Sequence, residues 1–229
     1  MNKFMIKNRH GMTTVLGLLV MLLMFIALLL VYGYAPIEKT MGIAQKIFYF
    51  HVPSAFMAFI SFAIVFVASI LYLRSKDDKY DRVASSAAEV GVIFSILMLL
   101  TGPIWARSAW GVWWTWEPRL TTTLILFLIF VGYLMLRNYG TSGEQMKRYS
   151  AVLGIIGFLD VPLVYWSVTW WAPEITSHPQ GLELEPQMKF VLTFSFFTFG
   201  LLLLFLLLKR IELSKMRSEL EMLKKDYLR

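Results

Sequence analysis

The 229-residue chain contains no cysteine, and this absence excludes several classes of site at once. Without thiols the protein has no disulfide framework, no thiolate metal site, no iron–sulfur cluster and no Cys-x-x-Cys-His site for covalent haem attachment. Histidine is also scarce, with three residues at His10, His51 and His178. The candidate nitrogen ligands are therefore few enough to be considered one by one.

Charged residues make up only 16% of the chain, whereas hydrophobic residues make up 58%. A soluble domain usually contains about 45–50% apolar residues. With a mean hydropathy of +0.62, the composition predicts a polytopic membrane protein. The net charge of +7 does not indicate a nucleic-acid partner, because the basic residues lie beside apolar runs, which is typical of membrane topology.

Six apolar runs are each near the length of about 20 residues that crosses a bilayer as a helix. They cover residues 12–34, 54–73, 84–105, 121–136, 150–170 and 188–208. Each run must be helical, because lipid offers the backbone no hydrogen-bond partner. The first run is too long for a signal peptide and lacks a small-residue cleavage site, so we expect a retained helix. The predicted fold is all-α, with six transmembrane helices.

Basic residues are distributed unevenly between the two sides of these spans. Seventeen of the 22 Lys and Arg residues lie on the side of both termini, which places the termini in the cytoplasm. Segments 35–52, 105–121 and 171–187 are then external. The chain divides into a membrane bundle, 1–208, with an external tryptophan-rich loop at 105–121, and a basic cytoplasmic helix, 209–229, that continues the last span toward a partner.

Tryptophan is concentrated in the second external segment, where four residues fall within seven positions: Trp110, Trp113, Trp114 and Trp116. The run is interrupted by Arg107, Gly111, Pro118 and Arg119. All eight tryptophans lie in or beside external segments, whereas an ordinary aromatic belt marks both interfaces. Indole rings form a flat apolar platform and arginines bind carboxylates, so the segment predicts a site for a large planar ligand.

The first external segment has apolar residues at helical spacing, which predicts a short interfacial helix with Lys46 toward water. This helix delivers His51 to the mouth of the second span. His51 and His178 both lie on the external side, whereas His10 lies in the basic N-terminal flank and is expected to be solvated. Two neutral imidazoles can occupy both axial positions of a haem iron, while Arg107 or Arg119 binds the propionates.

Two acidic residues are further candidates. Glu117 precedes Pro118 and is biased toward an extended conformation, from which it could fix Arg119, bond an indole or a ligand histidine, or form a simple loop salt bridge. Asp160 lies within the fifth span and is a functional candidate by position. The alternative is a purely structural role, in which Asp160 satisfies local polar groups at a kink caused by Pro162. Glu89 is interpreted as an interfacial charge.

At these residues the chain closely resembles the CcmC family, the haem exporter protein C of cytochrome c maturation, within the wider tryptophan-rich WWD superfamily. The matching stretches are Tyr49-Phe-His51-Val-Pro-Ser, Trp110-Gly-Val-Trp-Trp-Thr-Trp-Glu-Pro-Arg119-Leu-Thr, and Ser167-Val-Thr-Trp-Trp with His178 and Gly181. Two departures stand out. Glu117 replaces the family's aspartate, and Pro179 interrupts the common His-Gln-Gly pattern.

The resemblance implies that haem b is held through His51 and His178 at the external face of the bacterial inner membrane, against the tryptophan segment. It implies presentation of that haem to the chaperone CcmE, with the ABC transporter subunits CcmA and CcmB and the small protein CcmD as partners. No independent enzyme activity is expected.

Three alternatives remain open. One is a b-type electron-transfer or quinone-reactive subunit, although no histidine lies in the middle of a span. Another is a secondary transporter that uses Asp160, for which no convincing internal repeat is found. The third is a zinc site formed by His51, His178 and a carboxylate such as Glu117 or Glu174.

Overall fold

The computed structural model describes residues 3–140, 143–170 and 184–227, with the side chains of 3–10, 168 and 225 excepted. Seven α-helices account for most of these residues: α1 Lys3–Leu29, α2 Phe48–Ser75, α3 Asp78–Trp110, α4 Pro118–Tyr139, α5 Glu144–Phe158, α6 Asp160–Trp170 and α7 Pro186–Tyr227. A π-helical turn, Leu30–Tyr34, continues α1, and a 3-10 helix, Ile43–Ile47, precedes α2. The prediction of an all-α fold is confirmed.

Six helical segments are long and apolar enough to cross a membrane, as predicted. They are Gly11–Tyr34, Ile43–Ser75, Asp78–Trp110, Pro118–Tyr139, Glu144–Ser167 and Pro186–Lys224. Most extend beyond the predicted runs, because hydropathy marks only the stretch that matches the bilayer core, whereas capping residues decide where a helix ends. Asp77, for example, accepts a hydrogen bond from the Lys79 amide at 2.9 Å and so caps the start of α3.

Helices α2 and α3 form the central pair of the bundle. Helix α7 packs on both of them and carries α1 on its outer side, while α4, α5 and α6 cover the opposite side. Close packing of the central pair depends on small residues: a Cβ added to Gly91 would lie 2.6 Å from the Phe62 ring. Small residues of this kind let helix backbones approach within a membrane. The most buried of the six spans is α3.

The fifth span is broken, as the position of Pro162 predicted. Helix α5 ends at Phe158 and α6 begins at Asp160, because Pro162 has no N–H to donate to the carbonyl four residues before it. Asp160 is 9% exposed, and its Oδ2 atom has no hydrogen-bond partner among the described residues. The two short helices pack differently, since α5 contacts α2 and α4, whereas α6 packs mainly on α4.

At the end of the bundle that carries the α2–α3 turn, acidic residues of α3 bind three other helices. The pairs are Asp78 with Lys147, Asp81 with Arg137 and Glu89 with Arg210. In the most buried pair, the Arg137 guanidinium donates to both Asp81 oxygens, at 2.6 and 2.9 Å. Glu89, interpreted from the sequence as an interfacial charge, therefore has a defined partner on α7. We call this end the ion-pair end, and the opposite one the site end.

The predicted orientation of Lys46 toward water is wrong. A helix is present at Ile43–Ile47 as expected, but Lys46 is only 5% exposed. Its Nζ atom donates to the carbonyl of Val31 at 2.7 Å and to those of Tyr32 and Ala35 at 3.3 Å. The last carbonyls of a helix have no partner within it, and a cation there also interacts favourably with the helix dipole. Lys46 therefore ties the start of α2 to the end of α1.

Replacement of Arg137 by Met should strongly destabilise the bundle, because the buried Asp81 carboxylate would lose its counter-charge. We expect a loss of about 3–5 kcal/mol in the free energy of unfolding, measured by denaturant titration in detergent. Arg148→Met is the matched control, because Arg148 and Glu144 form a pair within α5 whose side chains are 53% and 59% exposed. Such exposed pairs contribute about 0–1 kcal/mol. Equal losses in the two variants would contradict this account of the ion-pair end.

Candidate functional site

A cavity of about 580 Å³ lies at the site end, between α2, α3, α4 and α6. This volume is within the range of about 300–1,000 Å³ that is usual for pockets of small-molecule ligands. Its lining is mostly apolar and rich in aromatic rings: Phe48, Phe56, Phe59, Trp105, Trp110, Trp113, Trp114, Tyr165 and Trp166. The other polar side chains of the lining are His51, Arg119 and Thr123. The cavity is therefore suited to a large apolar ligand with a few polar groups.

The structure brings five of the predicted site residues to this cavity: His51, Trp110, Trp113, Trp114 and Arg119. Three others, Arg107, Trp116 and Glu117, lie nearby in the chain but outside the cavity lining. His178 lies outside the described residues, as do Pro179, Gly181 and Glu174. The role of His178 therefore stays a prediction.

The tryptophan-rich segment 105–121 is less irregular than its sequence suggested. Helix α3 continues to Trp110 and α4 begins at Pro118, so only residues 111–117 form the connection. Gly111 ends α3 with a positive φ of 76°, a conformation that favours glycine, and its N–H donates to the Arg107 carbonyl. The Arg107 side chain donates in turn to the Gly111 carbonyl. Arg107 thus closes the end of α3.

The tryptophans of this segment have different environments. Trp105 is 5% exposed, whereas Trp113 and Trp116 are 59% and 74% exposed. Trp105 packs in a T-shaped arrangement against the His51 ring, with ring centroids 5.8 Å apart. The segment therefore supplies both an inner wall and an exposed rim. Trp105 belongs to the site, although the sequence singled out the four tryptophans that follow it.

His51 lies in the first turn of α2, and one face of α3 determines the position of its ring. Its Nδ1 atom is 3.0 Å from the Thr101 hydroxyl. Gly102 leaves room for the ring, because an added Cβ would lie 3.2 Å from His51 Cε1. Trp105 covers another side of the ring. The spacing of these α3 residues fits one helical face, but nothing in the sequence pairs them with a histidine about 50 positions away.

Two indole N–H groups of the cavity wall are buried without a hydrogen-bond partner among the described residues. They belong to Trp105 and Trp114. Buried donors are nearly always paired, because an unsatisfied one costs about 1–3 kcal/mol. These two N–H groups are not accessible from the cavity, so the charged group that the lining offers to a ligand is the Arg119 guanidinium. A guanidinium favours a ligand that carries a carboxylate.

Glu117 is 3% exposed at the position just before α4. Its carboxylate lies within electrostatic range of the Arg119 guanidinium, which lines the cavity. Of the alternatives raised by the sequence, this placement favours an influence of Glu117 on Arg119.

Zinc binding finds no support in the described part of the chain. There, no three His, Cys, Asp or Glu side chains are grouped closely enough to hold a metal ion. The predicted zinc ligands His178 and Glu174 lie outside that part.

Comparison with known proteins points to one family. The chain matches the family described as Heme exporter protein C, CcmC, over residues 2–226. It is 30% identical to Heme exporter protein C of Escherichia coli K12 over 175 residues, which cover 75% of this chain and 70% of that protein.

Two further relatives are similar over shorter stretches. Heme exporter protein C of Bradyrhizobium diazoefficiens is 36% identical over 137 residues, 60% of this chain and 52% of that protein. A ccmC-like mitochondrial protein of cytochrome c biosynthesis from Arabidopsis thaliana is 33% identical over 145 residues, 63% of this chain and 54% of that protein. The chain thus spans about half the length of these two relatives.

Replacement of Gly102 by Ala should displace the His51 ring. The added methyl group would lie 3.2 Å from Cε1, so the ring must give way by a few tenths of an ångström, and its contact with Thr101 should weaken. We expect a shift of the His51 ring ¹⁵N resonances relative to the unaltered protein. Gly132→Ala is the control, because an added Cβ there meets nothing within 4 Å. Unchanged His51 resonances in Gly102→Ala would exclude a tight contact.

Proposed function

The chain belongs to the haem exporter protein C (CcmC) family, and from that membership we propose that it binds haem and presents it to the periplasmic chaperone CcmE for cytochrome c maturation. The observation that carries the proposal is the cavity at the site end, where an imidazole and a guanidinium line an apolar space with an aromatic wall. The residues present fit a porphyrin in size, polarity and donor chemistry.

The apolar body of haem would be held by the aromatic wall. Flat indole and phenyl rings contribute large apolar areas and stack well against planar partners. The wall combines rings from α2, α3 and α6 with aliphatic side chains such as Met98 and Leu99. A ligand in this position is removed from water on several sides, which makes the few polar contacts of the cavity stronger.

His51 would be one axial ligand of the haem iron. It is the histidine that lines the cavity among the described residues, and a neutral imidazole is a common axial ligand. His178 is proposed as the second ligand, on the strength of the family resemblance. Ligation from both sides would occupy both axial positions and so oppose reaction of the iron with small molecules.

Arg119, which lines the cavity, would bind a haem propionate. Arginine forms strong paired hydrogen bonds with carboxylates, and these bonds are stronger still where water is excluded. Glu117 would restrain the guanidinium from outside the cavity lining. Arg107 would contribute indirectly, because its side chain closes the end of α3 through its hydrogen bond to the Gly111 carbonyl.

Presentation to CcmE would use the exposed rim formed by Trp113 and Trp116. In this proposal the chaperone would bind haem covalently through its own histidine, which would reach a porphyrin edge at this rim. Transfer breaks the bonds between iron and histidine, so the partner must supply compensating contacts. The bias of basic residues supports a bacterial inner-membrane location with the site facing the periplasm. CcmA, CcmB and CcmD are the proposed partners in the exporter complex.

His51→Ala should remove an axial ligand and change the absorption spectrum of purified protein titrated with haem. Loss of an outer-shell partner of a ligand typically lowers affinity by about 10- to 100-fold. Loss of the ligand itself should lower haem affinity by at least as much. His178→Ala should behave similarly, and loading of haem onto CcmE should fall in both variants. His10→Ala, in the N-terminal flank, is the histidine control. Intact spectra and intact loading in both ligand variants would refute the proposed function.

A further inference from the structure

We propose that Thr101 is a positioning residue for His51. Its hydroxyl holds the imidazole in the tautomer that carries the proton on Nδ1, so that Nε2 is the nitrogen with a lone pair for a ligand in the cavity. The inference rests on the proposed function in one respect, which is that the ligand of Nε2 is haem iron. The tautomer itself is a property of the chain without haem.

The assignment follows from the single proton of the Thr101 hydroxyl. That oxygen is 2.7 Å from the Leu97 carbonyl, four residues earlier in α3, and 3.3 Å from the Met98 carbonyl. Carbonyls only accept hydrogen bonds, so the hydroxyl proton is used in this back-bond to the helix. The hydroxyl oxygen is then an acceptor for His51 Nδ1 at 3.0 Å. An acceptor at that distance requires Nδ1 to carry the proton.

The neighbours of Thr101 in α3 restrict rotation of the His51 ring away from the Thr101 hydroxyl. Gly102 approaches the ring so closely that even a methyl group would crowd Cε1. Trp105, one turn beyond Thr101, packs against the ring from the same helix. These contacts come from α3, the most buried of the six spans. A helix packed in this way can hold the ring in one orientation, and the partner of one ring nitrogen then defines the tautomer.

The kind of acceptor also affects the strength of the ligand. Ligating histidines usually donate their second N–H to a carboxylate, a carbonyl or water, and the partner fixes the ring and raises its basicity. A neutral hydroxyl polarises the imidazole less than a carboxylate does, because it carries no charge. Thr101 would thus orient the His51 ring while leaving the Nε2 lone pair only moderately basic toward iron. That combination suits a protein that must give up its haem.

The test compares Thr101→Val, which keeps the branched shape but loses the acceptor, with Thr101→Ser, which keeps the hydroxyl. Thr198→Val is the matched control, because Thr198 makes the same back-bond, to the Phe194 carbonyl at 2.9 Å, on α7 and away from the cavity. The first measurement is the ¹⁵N spectrum of histidine-labelled full-length protein without haem, at about pH 8, where an ordinary histidine is neutral. The second is the haem affinity of the same samples.

We expect Nδ1 of His51 to be protonated in the unaltered protein, in Thr101→Ser and in Thr198→Val. In Thr101→Val the ring should lose this preference, and haem affinity should fall by about 10- to 100-fold, as for other lost outer-shell partners. Thr101→Ser should restore most of that affinity, which a loss of packing alone would not predict.

Two results would overturn the inference: an Nε2-protonated His51 in the unaltered protein, or a Thr101→Val variant with unchanged tautomer and affinity. Failure of the proposed function gives a different pattern. In that case Nδ1 is protonated as expected, yet neither the unaltered protein nor any variant binds haem, which overturns the ligand role and leaves the tautomer in place.

Discussion

Lipid offers no hydrogen-bond partners to a polypeptide, and this constraint governs both the fold and the site. Within a helix the backbone groups bond to one another, so backbone groups without a partner occur where helices end or break. Side chains bind these groups: Lys46 donates to carbonyls at the end of α1, and Arg107 donates to the carbonyl that follows α3. Trp105 and Trp114 are exceptions, because their buried indole N–H groups have no hydrogen-bond partner among the described residues.

Helix α3 connects the two ends of the molecule. At the ion-pair end its acidic residues bind α4, α5 and α7, and at the site end its last turns supply Thr101, Gly102 and Trp105 around His51. The Asp81–Arg137 pair is the most buried of the three and stabilises the position of α3, which also packs closely against α2. The residues around His51 therefore lie on a helix that is held by an ion pair and by packing, and such contacts help to orient a metal ligand.

A haem-presenting protein must bind its cargo firmly enough to hold it and weakly enough to release it. The proposed site divides these tasks between different interactions. Apolar walls and the Arg119 guanidinium would provide affinity without covalent chemistry, while an imidazole supported by a neutral hydroxyl would provide a bond to iron that a partner can replace. The exposed tryptophans of the connection between α3 and α4 lie where such a partner has access.

The sequence by itself determined the class of protein, the number of spans and the end of the bundle that is rich in tryptophan. It could do so because membrane spans depend on local composition over about 20 residues, and the distribution of basic residues predicts their orientation. It also marked Pro162 as a kink in the fifth span, since proline acts through its own backbone.

The tertiary structure alone decided which side chains meet. From the sequence, Lys46 is predicted to be a solvated charge and Glu89 an interfacial charge. In the structure Lys46 binds carbonyls at the end of α1, and Glu89 pairs with Arg210 of α7. Nothing in the sequence distinguishes Thr101 and Gly102, yet in the structure both contact the His51 ring of α2. The physical reason is the same in each case: hydrogen bonds and van der Waals contacts act over a few ångströms in space, whatever the separation along the chain.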